Sequence, residues 1–258
     1  MTTSLTTVTR ENLRTGVYDL RPAGSLDLAG TASLRRSVLK ILPEQPRVLL
    51  LGLDGIDVRD PLNLNILPSL DKRVMLDCGI RLECYVNPST ETGRRIRELI
   101  GWRVALHANR AAALAAADQE TTAAHRAYRH LAPGPDAVRE ARAMTRDCCR
   151  HWGLPQMADT AQLIVSELVT NAVQHARTEM DLVITHRGAQ LHLQVRDTAY
   201  APALFPIEPL TSLVYHVGDD RIGGRGLMIV AMLASACGTT VGMHAKTVWA
   251  SLRVRPAA

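Results

Sequence analysis

The order of helix and strand patterns differs between the two halves of the 258-residue chain, and this difference most constrains its fold. In the first half, stretches with helical periodicity such as residues 29–42 alternate with short apolar runs such as 47–51. In the second half, two predicted helices precede a pair of strands, and a third helix precedes the last two strands. The first order predicts a layered α/β domain, and the second predicts an α/β sandwich with a mixed sheet and helices on one face.

Both halves can be divided into predicted elements. In the first half, strands are predicted at 15–20, 47–51 and 80–86, and helices at 29–42, 61–77 and 90–100; the stretch 107–117 is predicted to end in an alanine-rich helix. Pro68 is expected to kink the second of these helices, and Ser89 to cap the third. In the second half, strands are predicted at 128–131, 181–186, 190–197, 239–244 and 247–254, and helices at 136–152, 158–176 and 227–236. A small, polar stretch at 118–124 separates the halves, which predicts domains at 1–119 and 120–258.

Composition excludes several classes of protein. With 47% hydrophobic and 21% charged residues, the chain has the make-up of a soluble globular protein. No apolar run reaches the length of a membrane span, and the first residues lack a signal core. The net charge of +5 comes from scattered arginines, and aromatic residues make up only 3%, so no nucleic-acid surface is expected. Five cysteines without a CxxC pair predict neither a disulfide framework nor a zinc site, and favour a cytoplasmic protein.

The predicted helix at 158–176 carries a polar stripe. Glu167, Asn171 and His175 follow one another at intervals of four and therefore share one helix face. A solvated surface would explain such a stripe. A functional interpretation is that a carboxylate and an amide face one ligand, since a carboxylate can accept a proton and an amide oxygen can bind a divalent cation.

Three later features admit the same two kinds of interpretation. Asp197 ends a predicted strand, where it could form a turn or accept a hydrogen bond from a base amino group. The glycine-rich run at 223–227 precedes a helix, where it could be a flexible loop or could approach a phosphate. Thr247 could be an ordinary strand residue, or could place a hydroxyl beside Asp197.

Three segments, taken in order over residues 127–254, carry a resemblance to a known family. They are SELVTNAVQHA (166–176), GRGLMIV (224–230) and KTVWA (246–250). This set resembles the GHKL ATPases, which have the Bergerat nucleotide-binding fold. Within them it is most similar to the anti-sigma-factor serine/threonine kinases of actinobacterial regulators.

The resemblance implies ATP and Mg²⁺ as cofactors and assigns roles to individual residues. Glu167 would be the general base, Asn171 would hold Mg²⁺, and Asp197 would bind the adenine amino group with Thr247 assisting. The expected phosphate-binding residues, beneath a lid at 198–222, are Gly223, Gly224, Arg225, Gly226 and Leu227. The family usually has glycines soon after this aspartate, whereas here residues 198–202 read TAYAP, and their side chains are expected to narrow the adenine site.

The first half resembles a STAS domain, the fold of anti-sigma-factor antagonists. The resemblance rests on GSLDLAGTASLRRSV (24–38) and VLLLGLDGIDVRDPLNLNIL (48–67), and extends over residues 15–117. The family usually carries Asp-Ser-Ser-Gly or Asp-Thr-Ser-Gly at a helix start, with one hydroxyl phosphorylated by the partner kinase. Here the run is Asp60-Pro61-Leu62-Asn63, which lacks an acceptor hydroxyl, and Gly52 stands where the family often has aspartate.

Two functions follow from these resemblances, and a third is disfavoured. The chain is expected to be an ATP-dependent anti-sigma-factor kinase that phosphorylates a STAS antagonist in trans, with a sigma factor as a further partner and a homodimer allowed. The alternative is a non-catalytic partner-switching module whose STAS domain is an unphosphorylatable decoy. A sensor histidine kinase would need a phospho-accepting histidine on a long helical segment; His125 and His130 precede the second domain, but no pair of long helices does.

Overall fold

The structure is a computed structural model that describes residues 4–120, 124–199, 224–241 and 245–254. The chain divides into two compact units, Met1–Ala123 and Ala124–Ala258. Across those four ranges, no helix has both the length and the apolar character that crossing a membrane requires.

The N-terminal unit is a mixed sheet covered by helices. Its elements are β1 (Thr6–Asn12), β2 (Val17–Ser25), α1 (Leu28–Ile41), β3 (Val48–Gly52), β4 (Gly55–Asp57), α2 (Ile66–Cys78), β5 (Leu82–Tyr85), α3 (Glu91–Ile100), β6 (Leu106–His107) and α4 (Arg110–Glu120). The strand order is β1-β2-β3-β5-β6, with β4 paired to the end of β2. Only the β1–β2 pair is antiparallel, and the other pairs are parallel.

Strand β3 explains why this unit has two layers of helices. Its side chains alternate, so that Leu49 and Leu51 join the core formed with α1, α2 and α3. Val48 and Leu50 point the other way and pack against Ala113 of α4. A strand buried on both faces gives the continuous apolar run seen in the sequence.

Two local expectations for this unit need correction, and one strand was missed. Thr90, not Ser89, caps α3, and its Oγ1 accepts a hydrogen bond from the Gly93 N–H at 3.0 Å. Pro68 lies in the first turn of α2, where a backbone N–H has no intrahelical acceptor, so its ring needs no kink. Strand β1 was not predicted, because it is a polar and largely exposed edge strand.

The C-terminal unit is an antiparallel sheet with helices. Its elements are β7 (His125–Leu131), α5 (Pro135–His151), α6 (Ala158–Asn171), β8 (Met180–Arg187), β9 (Gln190–Asp197), α7 (Gly224–Leu233), β10 (Ala236–Val241) and β11 (Lys246–Arg253). The strand order is β10-β11-β9-β8-β7, and every described pair is antiparallel. The α/β class predicted for this half is confirmed, but the expected mixed sheet is wrong.

Further corrections concern the ends of elements in this unit. The β8–β9 turn lies at Gly188 and Ala189 rather than at Arg187 and Gly188, and Gly188 has a φ of 52°. Helix α7 begins and ends three residues earlier than predicted, and Ala236 belongs to β10. The core lies between the helices and one face of the sheet, where Leu168 of α6 meets Leu193 and Val195 of β9.

The opposite face of this sheet contains a buried histidine. His192 alternates with the core-facing residues of β9, and its Nδ1 lies 2.8 Å from the Ser251 hydroxyl. Its ring stacks on Trp249 with the ring centroids 5.7 Å apart. Burial is the main cause that lowers the pKa of His192 to about 3, and the charge of Arg126 acts in the same direction. The folded protein therefore holds this imidazole neutral.

This buried histidine predicts a loss of stability in mild acid. In the unfolded chain His192 takes up a proton below about pH 6.5, whereas in the folded chain it stays neutral down to about pH 3. The free energy of unfolding therefore does not depend on this group above pH 6.5 and falls by about 1.4 kcal/mol for each pH unit below that value. The total loss at pH 5 is about 2 kcal/mol. Urea unfolding of wild type and His192→Gln at pH 7 and pH 5 would measure this difference. The exposed His151→Gln is the matched control, and equal pH dependence in His192→Gln and wild type would contradict the assignment.

Candidate functional site

Helix α6 carries the predicted carboxylate and amide. Glu167 and Asn171 lie one turn apart, and α6 packs against β9, β11 and α7. The Asn171 Nδ2 atom is buried and has no hydrogen-bond partner among the described residues. After Asn171 the chain forms a π-helical turn at Ala172–Ala176. Within this turn the His175 side chain is exposed.

Glu167 lies against the first turn of α7. A Cβ atom built on Gly226 would overlap the Oε2 atom of Glu167, so a glycine is needed at this close approach. The structure thus brings together a carboxylate from one predicted motif and a glycine from another. The backbone N–H groups in the first turn of α7 have no intrahelical acceptors, which is the usual basis for anion binding at a helix N-terminus.

Asp197, the last residue of β9, is only 1% exposed. Its Oδ1 accepts a hydrogen bond from the Ala199 N–H at 3.0 Å, which is the turn interaction expected for an aspartate at a strand end. Its Oδ2 is buried and has no hydrogen-bond partner among the described residues. Burial raises the pKa of Asp197, and the Lys246 ammonium and the Ala199 N–H oppose this shift. One oxygen therefore serves the turn, and the other is the buried acceptor without a partner in the described ranges.

Lys246, not Thr247, is the neighbour of Asp197. The β9–β11 register pairs Lys246 with Asp197 and Thr247 with Arg196. Because side chains alternate along a strand, Thr247 lies on the opposite face of the sheet from Asp197. The expectation that the Thr247 hydroxyl stands beside Asp197 is therefore wrong. The Lys246 Nζ lies 3.7 Å from Oδ2, and this lysine is only 3% exposed.

The remaining predicted site residues differ in how far the structure describes them. Gly224, Arg225 and Gly226 form the first turn of α7. The Leu227 side chain is buried in the hydrophobic core, which leaves only its backbone to meet a ligand. Gly223 lies outside the described residues, as does most of the predicted lid; only Thr198 and Ala199 of 198–222 are described.

A metal site built from protein ligands alone is not seen. In the described part of the chain, no group of three or more His, Cys, Asp or Glu side chains could hold a metal ion. Mg²⁺ commonly takes few protein ligands and completes its coordination with phosphate oxygens and water. The Asn171 amide, with its buried and unpartnered Nδ2, is a group that could take part.

In the N-terminal unit, the run that begins at Asp60 is a helix start without a hydroxyl. The Asp60 carboxylate accepts a hydrogen bond from the Leu62 N–H at 2.9 Å and caps a 3₁₀ turn at Pro61–Asn65. The Leu62 side chain is 72% exposed. This surface presents a hydrocarbon where the STAS resemblance would place a phosphorylated hydroxyl.

Gly52 also has a structural explanation. A Cβ atom at Gly52 would lie 2.5 Å from the Tyr85 hydroxyl oxygen. That hydroxyl donates a hydrogen bond to the buried Asp19 at 2.8 Å, and Arg110 Nε donates to the same carboxylate at 2.9 Å. Tyr85 thus occupies the space that a side chain at position 52 would need, and Asp19 supplies the carboxylate of this cluster.

Comparison with known proteins identifies the class of the C-terminal unit. Residues 131–252 match the histidine kinase-like ATPase domain family. This half of the chain is therefore a histidine kinase-like ATPase domain, a class for which ATP is the implied ligand. Asp197 Oδ2, the Glu167–Gly226 contact and the Asn171 amide are compatible with a bound nucleotide.

The chain was also compared with solved structures and with curated proteins. The crystal structure of an anti-sigma factor antagonist from Mycobacterium paratuberculosis is similar to part of this chain, with 20% identity and a TM-score of 0.37. The similarity covers 45% of this chain and 95% of that one. No curated protein matches the chain.

Proposed function

We propose that the protein is an ATP-dependent serine/threonine kinase of the anti-sigma-factor type, which phosphorylates a STAS-domain antagonist in trans. The observation that carries this proposal is the buried Oδ2 of Asp197, which has no hydrogen-bond partner among the described residues of a histidine kinase-like ATPase domain. Leaving a buried acceptor unsatisfied costs free energy, and a base amino group would remove that cost.

Glu167 is the group that would move the proton. The attacking group is a serine or threonine hydroxyl of the partner. Its oxygen forms a bond to the γ-phosphorus of ATP while the bond to the β–γ bridging oxygen breaks, and ADP leaves. The Glu167 carboxylate accepts the hydroxyl proton. Its position against the first turn of α7 supports this role, because that turn can bind the phosphates of the same nucleotide.

Asn171 is the proposed Mg²⁺ ligand. Its side chain lies one turn after Glu167 on the same helix, and an amide oxygen is a ligand that this cation accepts. When bound, Mg²⁺ would neutralise charge on the β- and γ-phosphates. Asn171 would thereby fix the position of the triphosphate relative to Glu167.

The test of this function is an ATP titration of the full chain by calorimetry, with wild type and Asp197→Asn. Wild type is expected to bind ATP, and the variant is expected to bind about tenfold or more weakly, because a charged acceptor for the base is lost. Asp136→Asn removes an exposed carboxylate from α5 and should bind like wild type. Absence of ATP binding by wild type at millimolar concentration would contradict the proposal, as would unchanged affinity in Asp197→Asn.

The second candidate function is a non-catalytic partner-switching module. It is favoured by the exposed Leu62, which offers a docking surface at the STAS-like helix start but no oxygen to receive phosphate. In this case the N-terminal unit would act as a decoy for a kinase-like domain, and nucleotide would only bias the conformation. Turnover of ATP with phosphate transfer to purified STAS-domain proteins favours the kinase, whereas binding without turnover favours the module. A sigma factor is a proposed partner under both functions.

A sensor histidine kinase is disfavoured further by the structure. His125 and His130 lie on strand β7 and not on a helix. Neither histidine therefore lies on the helical segment that a sensor histidine kinase uses to present its phospho-accepting histidine.

A further inference from the structure

Asp197 and Lys246 form a buried pair in which the Asp197 Oδ2 atom has no hydrogen-bond partner among the described residues. The two residues are directly opposite each other on β9 and β11, on the face that packs against the helices. Their closest charged atoms, Nζ and Oδ2, are 3.7 Å apart, which is beyond hydrogen-bonding distance. Within the described part of the chain, the carboxylate thus has one acceptor without a hydrogen bond, and the ammonium beside it carries N–H donors.

Such an arrangement is costly unless a ligand completes it. Two charges that leave water lose several kcal/mol each in hydration, and their mutual attraction offsets this loss only when further hydrogen bonds satisfy both groups. A ligand that places a donor on Oδ2 and an acceptor on Nζ would satisfy both groups at once. The required ligand edge therefore has a donor and an acceptor side by side.

We propose that Lys246 is a specificity-determining residue that donates a hydrogen bond from Nζ to N1 of adenine while Asp197 Oδ2 accepts one from the N6 amino group. This inference rests on the proposed function, since it requires ATP in this site. Adenine carries the required donor and acceptor side by side on its Watson–Crick edge. Hypoxanthine and guanine carry an oxygen at C6 and an N1–H, so in the same orientation both groups would meet a like partner.

The decisive experiment compares ATP with 1-deaza-ATP, in which a C–H replaces N1, by calorimetric titration of the full chain. Wild type is expected to bind 1-deaza-ATP about 10- to 100-fold more weakly than ATP, since a hydrogen bond from a charged donor is lost. In Lys246→Met the two ligands should bind with nearly equal affinity. Inosine triphosphate should bind to wild type more weakly than 1-deaza-ATP does, because it meets two like partners.

Two variants complete the design. Lys72→Met makes the same chemical change at an exposed position and should keep the wild-type preference for ATP. The double variant Asp197→Asn/Lys246→Met removes both charges, so that neither is left buried alone, and should also lose the preference.

The outcomes separate this inference from the proposed function. Equal affinity of wild type for ATP and 1-deaza-ATP overturns the role of Lys246 and leaves ATP binding intact. A preference for ATP that persists in Lys246→Met also overturns it, because another group would then contact N1. No binding of either ligand to wild type overturns the proposed function and this inference together. The wild-type comparison needs no variant, so equal affinity for the two ligands overturns the role of Lys246 even where Lys246→Met does not fold. In that case the double variant Asp197→Asn/Lys246→Met tests whether the preference depends on Lys246.

Discussion

Glu167→Gln is expected to lower phosphate transfer to a STAS-domain acceptor by about 10²- to 10⁴-fold, the usual range for loss of a general base. Glutamine keeps the shape of the side chain that packs against Gly226 but cannot accept the hydroxyl proton at neutral pH. ATP affinity should change little, because the base contacts at Asp197 are intact. Single-turnover transfer from ATP at saturating Mg²⁺, with binding measured in parallel by calorimetry, gives both quantities.

The control for this prediction is Glu140→Gln on the neighbouring helix α5. Glu140 is an exposed carboxylate whose nearest basic group, Arg129 Nη1, is 3.6 Å away, and such surface pairs contribute little. Transfer by this variant should equal that of wild type. A Glu167→Gln protein that transfers phosphate at the wild-type rate would remove Glu167 from the role of base.

The site also shows what periodicity alone could predict. Glu167 and Asn171 share a helix face because the α-helix between them is regular, so this part of the stripe could be predicted without knowledge of the tertiary structure. The π-helical turn at Ala172–Ala176, which contains His175, was not predicted by the helical periodicity. Periodicity therefore predicted the shared face of Glu167 and Asn171, but not the π-helical turn that follows them.

The structure places Lys246 beside Asp197, where Thr247 was expected, and this difference has another physical origin. A shift of one residue in strand register moves every side chain to the other face, and the sequence does not specify which residue of β9 lies opposite Lys246. A buried lysine is also rare, so the residue type alone predicts that Lys246 is exposed to solvent. The signal that could have found it is the second half of the strand: Val248 and Ala250 share its face and belong to the core.

The N-terminal unit was predictable where its strands are buried. The apolar run of β3 and the spacing of Leu34 and Val38 on α1 indicated the elements that form the core. Strand β1 lacked that signal because its residues are mostly exposed and polar, and only pairing with β2 holds it. The polar cluster around Asp19 also could not be predicted from local patterns, because Tyr85 and Arg110 approach Asp19 from distant parts of the chain.

Gly226→Ala is expected to lower phosphate transfer by about 100-fold without unfolding the protein. The new Cβ atom would overlap the Glu167 carboxylate, so either this carboxylate or the first turn of α7 must move, and a displacement of about 1 Å at a reacting group can cost about 10²-fold in rate. Stability should hardly fall, because alanine is a better helix former than glycine by about 1 kcal/mol. Transfer kinetics and thermal unfolding of the same preparations measure the two effects.

Gly134→Ala is the matched control for this substitution, because a Cβ atom at Gly134 meets no other atom within 4 Å. Gly134 precedes α5 with an extended backbone, so alanine fits there without strain. Its transfer rate should equal that of wild type. A Gly226→Ala protein with wild-type transfer would show that the contact between α7 and Glu167 does not position the base.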